Sequence, residues 1–300
     1  MKRQTEETTT PNTFESQGYF KLFWRQLRKN RMAMVALVVL ILLYLSMILS
    51  PFIVDAVGYD YKEPYVGERN EHPSMSHLFG TDHLGRDLFS RVLVGSRISL
   101  TIGLVAAAIS VSIGVVVGSL AGYYGGWMDQ FLMRLVDVVL CFPFLFLAIT
   151  IVTILSPNFF NIILIIALLS WTGIARIVRA NVLSLKERDF FASARAIGAS
   201  TSRLILRHLI PNTMAPVIVN ATLQVAGAIL AESGLSYLGL GVQPPTPSWG
   251  NILMGGKPYL ATNFGYTFFP GLMIFITVMC INFLGDGLRD ALDPKIAKAR

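Results

Sequence analysis

The sequence predicts an all-α membrane protein with six transmembrane helices. Three observations lead to this class: apolar residues dominate the composition, long charge-free runs recur along the chain, and the basic residues cluster between those runs. Apolar residues make up 53% of the chain and charged residues 14%, whereas soluble domains carry about 25% charged residues. Such a composition is typical of a chain whose main solvent is lipid.

The chain begins with a polar segment and a candidate interfacial helix. Residues 1–17 are polar and rich in threonine, which predicts a disordered tail. In the next segment, one helical face carries the large apolar side chains of Phe20, Phe23, Trp24 and Leu27. Basic residues lie around the other face. This pattern predicts either a helix that lies on the inner leaflet or a simple basic anchor.

The transmembrane helices follow from five charge-free runs, because about 20 apolar residues are needed to cross a bilayer. The runs cover residues 32–54, 98–128, 138–175, 208–231 and 266–284. The third run is too long for one helix, and the break at Ser156-Pro157-Asn158 divides it into two spans. In the first of these two spans, Pro143 lies between two phenylalanines and predicts a kink.

The distribution of lysine and arginine gives the spans a direction. Basic residues are concentrated in the N-terminal segment, in the loop 176–207 and in the C-terminal tail, and six spans place all three on the same side. That side is predicted to be the cytoplasm, because cytoplasmic loops carry an excess of Lys and Arg. The predicted organisation is a cytoplasmic tail with the interfacial helix (1–31), the first helix with an extracytoplasmic loop (32–97), a five-helix core (98–288) with a cytoplasmic loop at 176–212, and a second cytoplasmic tail (289–300).

A stripe of small residues runs along the second span. It recurs every four residues: Ala106, Ser110, Gly114, Gly118 and Gly122. Small residues let helices approach closely where lipid offers no hydrophobic drive for association. The stripe therefore predicts close packing, either against another helix of the same chain or against another subunit.

The sequence offers no pattern for nucleic-acid binding, metal binding or catalysis. The net charge of +7 resides in the basic blocks described above, without a basic stripe that carries interleaved aromatic residues. The histidines of the segment 55–97 match no common zinc spacing, and no Gly-x-x-x-x-Gly-Lys-Ser/Thr loop is present to hold nucleotide phosphates. We therefore expect no metal, cofactor or catalytic residue in this chain, and no nucleic-acid partner.

The cytoplasmic segment RDFFASARAIGASTSRLILRHLIPN, residues 188–212, resembles the loop signature of permeases of ATP-binding cassette (ABC) importers. That signature is a Glu-Ala-Ala triplet followed by Gly and, about a dozen residues later, by Ile/Leu-Pro. Gly198 and Pro211 match it, and the helical stretch after Gly198 is predicted to end at Pro211. Ala192 stands in place of the usual Glu and Ser193 in place of Ala. The resemblance implies that short helices broken at Gly198 dock into a groove on an ATPase subunit. The residues implied in this coupling are Phe190, Phe191, Ala192, Ser193, Ala194, Arg195, Ala196, Gly198, Ala199 and Pro211.

Four further segments resemble the peptide-type permeases of the same family. They are GTDHLGRDLFSRVLVGSRISL (80–100), AGYYGGWMDQFLMRLVDVVLCFPFLFLA (121–148), LSYLGLGVQPPTPSWGNIL (235–253) and GDGLRDALDPK (285–295). The resemblance implies the type I ABC importer permease fold of the dipeptide/oligopeptide/nickel class, in the bacterial cytoplasmic membrane. It implies as partners a homologous permease, two cytoplasmic ATPase subunits that bind ATP and Mg, and an extracytoplasmic substrate-binding protein.

The resemblance implies import of dipeptides or oligopeptides, with nickel chelates or glutathione as alternatives for the same subunit type. An alternative of a different class is a stand-alone secondary transporter, which typically shows paired inverted repeats with interrupted helices. That signature is not visible in this sequence. The candidates for lining a translocation path are Phe142, Phe144, Asn220, Gln224, Glu232 and Asn282. For the three amides the alternative is hydrogen bonding between helices, and Glu232 is predicted either to meet a peptide's amino terminus or to lie in water.

Charged residues flank the second and third spans. Asp82, Arg86 and Asp87 precede the second span and predict a capping and ion-pair network, with docking of the substrate-binding protein as the alternative. Arg134 and Asp137 in the third span are three residues apart and share a helical face. They are predicted to pair with one another, with a functional role for charge within the membrane as the alternative.

Overall fold

The computed structural model describes residues 19–64 and 69–292, with side chains from residue 23 onward. Within these ranges the protein is helical and contains no β-strand. The elements are α1 (Tyr19–Lys29), α2 (Arg31–Val57), α3 (Leu88–Tyr124), α4 (Gly126–Cys141), α5 (Phe144–Leu155), α6 (Phe159–Lys186), α7 (Asp189–Ala196), α8 (Thr201–Arg203), a π-helical segment (Leu204–Leu209), α9 (Ile210–Tyr237), α10 (Trp249–Gly256), a 3-10 turn (Lys257–Tyr259) and α11 (Gly265–Leu292). The predicted tail at 1–17, the side chain of Phe20 and the last part of the C-terminal tail, 293–300, lie outside the described residues.

Five helical stretches of the described chain are long and apolar enough to cross a membrane. They are α2, α3, α6, the continuous stretch Thr201–Tyr237, and α11. The remaining predicted span, the third in chain order, corresponds to α4 and α5, whose axes are bent by 88° relative to one another. The kink predicted at Pro143 is therefore a complete break, because the residue before a proline avoids the helical region and Phe142 is extended (φ −98°, ψ 133°).

The helices extend beyond the predicted spans at several charged ends. α6 continues to Lys186, so that Arg176 and Arg179, which were predicted in a loop, lie on this helix. Arg179 forms a bidentate ion pair with Asp129 of α4, in which Nη2 of the arginine donates to Oδ2 of the aspartate at 2.7 Å. Charge-free runs predict only the part of a helix that contacts lipid. The helix itself extends further, because the charged side chains of its last turns form ion pairs with neighbouring helices.

Asp137 does not pair with Arg134, contrary to the prediction. Its Oδ1 accepts a hydrogen bond from Arg176 of α6 at 2.6 Å, and both side chains are half exposed. The i, i+3 spacing brings Arg134 and Asp137 to one face of α4, but α6 packs beside α4 and supplies a guanidinium across the helix pair. The ion pair therefore joins two helices rather than two turns of one helix.

The small-residue stripe of α3 packs against α6 of the same chain, which is the first of the two predicted alternatives. This helix pair is the most extensive in the fold. A Cβ atom added to Gly114 would lie 2.6 Å from Cβ of Ile174, and one added to Gly122 would lie 2.8 Å from Cβ of Val182. Side chains at these positions would force the two helices apart. The largest buried cluster lies elsewhere, where α2, α3, α9, α10 and α11 meet.

A helix, α1, is present where the interfacial helix is predicted, and it packs against α11. Its position on the inner leaflet stays a prediction. Leu27 on its apolar face is buried against the backbone of Gly287. The helix ends one residue before Asn30, whose side chain caps α2 by accepting a hydrogen bond from the backbone N–H of Ala33. The chain thus turns directly from α1 into the first span.

The N-terminus of α3 is held by the predicted capping and ion-pair network. Asp87 is the N-cap residue and accepts a hydrogen bond from the backbone N–H of Ser90 at 2.7 Å. Its second oxygen contacts Nδ1 of His77 at 2.8 Å. Asp82 pairs with Nε of Arg86 at 2.6 Å, and all of these acidic and basic side chains are buried. The capping prediction is confirmed.

Replacing Asp87 with alanine is expected to lower stability by about 1–2 kcal/mol, because the cap of a buried helix terminus is removed. The expected readout is a lower apparent Tm of the detergent-purified chain. Asp55→Ala is the matched control, since Asp55 is exposed near the end of α2. Equal shifts for the two variants would show that the buried cap adds nothing.

Candidate translocation and coupling site

A cavity of about 400 Å³ lies between the first turn of α5, the middle of α6 and the middle of α9. Its wall is mostly apolar and contains several glycines and alanines. The polar atoms come from Ser170 of α6 and from Asn220 and Gln224 of α9, while Phe144 contributes a ring from α5. The cavity is open on one side in this chain, so it is able to contact a small solute and to exchange hydrogen bonds with it at a few points.

Gln224 both lines this cavity and joins three helices. Its Nε2 donates to the backbone oxygen of Ser170 in α6 at 2.7 Å and to the hydroxyl of Ser110 in α3. Asn220, one turn earlier, donates to the backbone oxygen of Pro216 in its own helix at 2.8 Å. The two amides therefore present their remaining polar atoms on one side of α9, beside the cavity.

The segment between α6 and α9 forms a short projecting knob, which we define as residues 188–203. α7 ends in a Schellman motif: the N–H of Gly198 bonds to the oxygen of Arg195 at 3.1 Å, and that of Ala199 bonds to the oxygen of Ala194 at 3.2 Å. Gly198 has φ +78°, a conformation that glycine adopts without the Cβ clash of other residues. The helical break predicted at Gly198 is confirmed.

The knob has an apolar base and an apolar outer surface. Phe191 and Ala194 point inward and belong to a buried cluster with side chains of α6 and the π-helical segment. Phe191 also makes an edge-on ring contact with Tyr123 at the end of α3. On the outside, Ile197 is 86% exposed and Phe190 is 40% exposed. The base fixes the knob to the bundle while the outer apolar side chains remain without cover in this chain.

Two family models match the chain that carries this arrangement. The model for the binding-protein-dependent transport system inner membrane component covers residues 114–298. The chain belongs to this family. Residues 18–73 match a second model, the N-terminal transmembrane domain of oligopeptide transport permease C. The protein is thus an ABC importer permease of the dipeptide/oligopeptide/nickel class and a multi-pass component of the bacterial inner membrane.

Curated relatives and solved structures agree with this assignment. The chain is 46% identical over 277 residues to the glutathione transport system permease protein GsiD of Escherichia coli O6:K15:H31 and to that of Shigella boydii serotype 4. In both cases the match covers 91% of this chain and 90% of the relative. The inward-facing MetNI methionine ABC transporter shares the fold, with a TM-score of 0.54 at 19% identity over 68% of this chain and 96% of that one.

The structure brings together three of the six path candidates of this permease. Phe144, Asn220 and Gln224 line the same cavity. Phe142 lies on the break between α4 and α5 with its ring exposed, and Asn282 is half-buried on α11; neither lines the cavity. For Gln224 the alternative of interhelical hydrogen bonding is confirmed, and a role in lining a translocation path stays a prediction.

Both predictions for Glu232 are wrong. Its side chain is fully buried and accepts hydrogen bonds from the hydroxyls of Ser236 at 2.7 Å and Ser99 at 2.9 Å. α9 continues past this residue, and α10 returns to pack over it. The hydroxyl of Ser99 in turn accepts a bond from the backbone N–H of Trp249 at the start of α10. Glu232 therefore holds three helices together rather than facing water or a peptide.

Pro211 does not end a helix, contrary to the prediction. It lies in the first turn of α9, and α8, the π-helical segment and α9 form one continuous stretch. A proline ring normally clashes with the carbonyl four residues back, but the N–H of Ile210 bonds to the oxygen of Ile205, five residues back. This wider turn accommodates the proline, so the knob is continuous with the span that follows.

Helix α10, between the charge-free runs 208–231 and 266–284, is not among the elements predicted from the sequence. The signal was present: Ser248 and Asn251 form a capping box, a pattern that marks a helix N-terminus. Trp249 and Ile252 follow as buried residues. The run is too short to cross a bilayer, and a search for spans therefore passes over it.

Proposed function

We propose that this permease pairs with a homologous permease to enclose a path for short peptides, glutathione among them. Two cytoplasmic ATPase subunits drive the pair, and ATP and Mg bind to those subunits rather than to this chain. An extracytoplasmic substrate-binding protein delivers the peptide. The glutathione permeases that share 46% identity with this chain support the choice of substrate class.

The proposed orientation places the knob and both termini in the cytoplasm. The excess of Lys and Arg in these segments supports it. Lys186 at the end of α6 donates to the backbone oxygen of Tyr123 at the end of α3, so the two spans end together beside the knob. The cavity between α5, α6 and α9 lies further along the same bundle.

The exposed apolar surface of the knob is the observation that carries the proposal. Ile197 is an exposed apolar side chain outside the membrane, on a segment that buried contacts fix to the bundle. Such an exposed apolar surface is typical of an interface with another protein. The Glu that the family signature places at position 192 is absent, so docking rests on shape and apolar contact. We expect the outer residues of the knob, from Phe190 to Ala199, to enter a groove on the ATPase.

The continuous stretch Thr201–Tyr237 supports a direct route from the knob to the path. From Thr201 to Gln224 it spans roughly 35 Å, at about 1.5 Å per residue. When the ATPases close on ATP, a displaced knob would tilt α9 and so move Asn220 and Gln224 relative to α6. Opening and closing of the cavity would follow from the movement of this single continuous helical stretch.

Ile197→Asp is expected to reduce ATP-driven uptake at least about ten-fold, which corresponds to about 1.4 kcal/mol lost at the ATPase contact. Uptake of glutathione, dialanine and a nickel chelate is measured in proteoliposomes that contain the complete importer, and ATPase retention is measured by co-purification. Ile197→Leu keeps the apolar surface and is the control, with uptake near that of the wild type. Uptake without ATPase subunits, or full activity of the Ile197→Asp importer, would overturn the proposal; uptake of the nickel chelate alone would correct the substrate.

A further inference from the structure

A second cavity, of about 450 Å³, lies at the end of the bundle where α3 begins. Aromatic rings of His83, Tyr259 and Tyr266 form one wall, with planes inclined by 14–16° to one another. Two guanidinium groups, those of Arg86 and Arg91, form another part of the wall. None of these residues takes part in the path or the knob described above.

The arginines of this cavity outnumber the carboxylates that face them. Asp82 is fully buried and pairs with Nε of Arg86 at 2.6 Å. Nε of Arg91 lies 3.6 Å from the same carboxylate oxygen and has no hydrogen-bond partner among the described residues, whereas its Nη1 donates to the backbone oxygen of Tyr61 at 3.0 Å. Asp87, the other nearby acid, already binds His77 and the backbone of Ser90. The cavity therefore carries an excess positive charge.

The histidine does not add to this charge. Burial lowers the pKa of His83, and the neighbouring Arg86 and Arg91 lower it further against the opposing effect of Asp82. Its Nδ1 lies 3.0 Å from the hydroxyl oxygen of Tyr266, which fixes the ring in the wall. His83 therefore supplies an uncharged aromatic surface at neutral pH.

We propose that this cavity binds the carboxylate of a small anionic peptide on the extracytoplasmic side of the permease. Arg86 and Arg91 share the single carboxylate of Asp82, so their combined charge is only partly balanced. A ligand carboxylate beside the two guanidinium groups completes the balance with charge-assisted hydrogen bonds. The planar guanidinium groups match the two oxygens of a carboxylate. The volume lies within the range of small-molecule sites, and the rings of His83, Tyr259 and Tyr266 cover the apolar part of the ligand. This inference rests on the proposed function for the side of the membrane and the class of ligand.

The test measures equilibrium binding of glutathione and of its diethyl ester to the complete importer in nanodiscs, without ATP and without the binding protein. Arg91→Gln is expected to weaken glutathione binding about ten-fold, the loss of about 1.4 kcal/mol that one charge-assisted contact supplies. The ester, which lacks free carboxylates, is expected to bind weakly to the wild type and to the variant alike. Arg97→Gln is the matched control, because it removes the same charge from an exposed position on the same helix.

A second variant keeps the inference testable if Arg91→Gln fails to fold. Met254→Trp fills the cavity from α10 without altering the ion pairs, and it is expected to weaken glutathione binding to a similar extent. Equal binding of glutathione to the wild type and to Met254→Trp, or equal binding of acid and ester, overturns the inference. Docking of the binding protein to the same nanodiscs is measured separately. A loss confined to that docking also overturns the inference, since the carboxylate would then come from an acidic side chain of that protein.

ATP-driven uptake separates this inference from the proposed function. If the wild-type importer takes up glutathione but binds the acid and the ester equally well, the inference is contradicted and the proposed function is not. Binding that depends on Arg91, in an importer that moves no peptide, contradicts the proposed function and leaves the carboxylate site in place.

Discussion

Replacing Gly118 with valine is expected to abolish the folded permease. A Cβ atom at this position would press against the backbone oxygen of Ala175 and lie 2.8 Å from Cβ of Val178. The obstacle in α6 is backbone, which cannot rotate away as a side chain does. Overpacking costs about 1–3 kcal/mol where side chains yield; here α3 and α6 must separate, and the contacts at Gly114 and Gly122 are lost with them. We expect a total loss above about 3 kcal/mol, enough to unfold a marginally stable chain.

The expected measurement is the yield of monodisperse protein after detergent extraction, together with its apparent Tm. Gly234→Ala is the matched control, because Gly234 also lies in a helix but has no atom within 4 Å of an added Cβ. This control is expected to keep its yield and to gain about 0.5–1 kcal/mol from the better helix former. Wild-type stability of Gly118→Val would mean that α3 packs against another subunit and not against α6.

Replacing Glu232 with alanine is expected to be the second most damaging change, at about 3–5 kcal/mol. The carboxylate is the acceptor for the hydroxyls of Ser99 and Ser236, and it also receives a longer contact of 3.4 Å from Ser233. Its removal leaves buried hydroxyl groups without an acceptor and opens a void where α3, α9 and α10 meet. The start of α10 is expected to loosen, since Ser99 also receives the backbone N–H of Trp249.

Glu232→Gln separates the hydrogen bonds from the shape. The amide fills the same space and keeps one acceptor oxygen, so we expect it to lose about 1–2 kcal/mol, the cost of one impaired hydrogen bond. Both variants are compared by apparent Tm and by protease sensitivity near α10. If alanine and glutamine give the same loss, the hydroxyl network is not what stabilises this junction.

Local chemistry decided the features that sequence analysis predicted correctly. Pro143 interrupts the third span because a proline restricts its own backbone and that of the residue before it. Gly198 ends α7 because it adopts φ +78°, and Asp87 caps α3 because its side chain lies next to the free N–H groups. Each of these effects acts within a few residues, and each can therefore be read from neighbours in the chain.

The failures concern residues whose environment is formed by distant parts of the chain. Glu232 and Ser99 are 133 positions apart in sequence, and the acid appeared exposed only because α10, which covers it, was not foreseen. Asp137 pairs with Arg176 rather than with its helical neighbour because α6 lies alongside. The clustering of Phe144, Asn220 and Gln224 around one cavity depends in the same way on how α5, α6 and α9 pack.

The sequence by itself determined the apolar runs, the breaks at Pro143 and Gly198, and the family, because hydropathy and backbone restrictions are local properties. Only the tertiary structure decided which α6 residues fill the grooves of α3, that Glu232 is a buried junction, and that Arg86 and Arg91 share a cavity with a single facing carboxylate. Burial and charge pairing depend on which surfaces meet in space. Helix packing sets those contacts, and no window along the chain contains both partners.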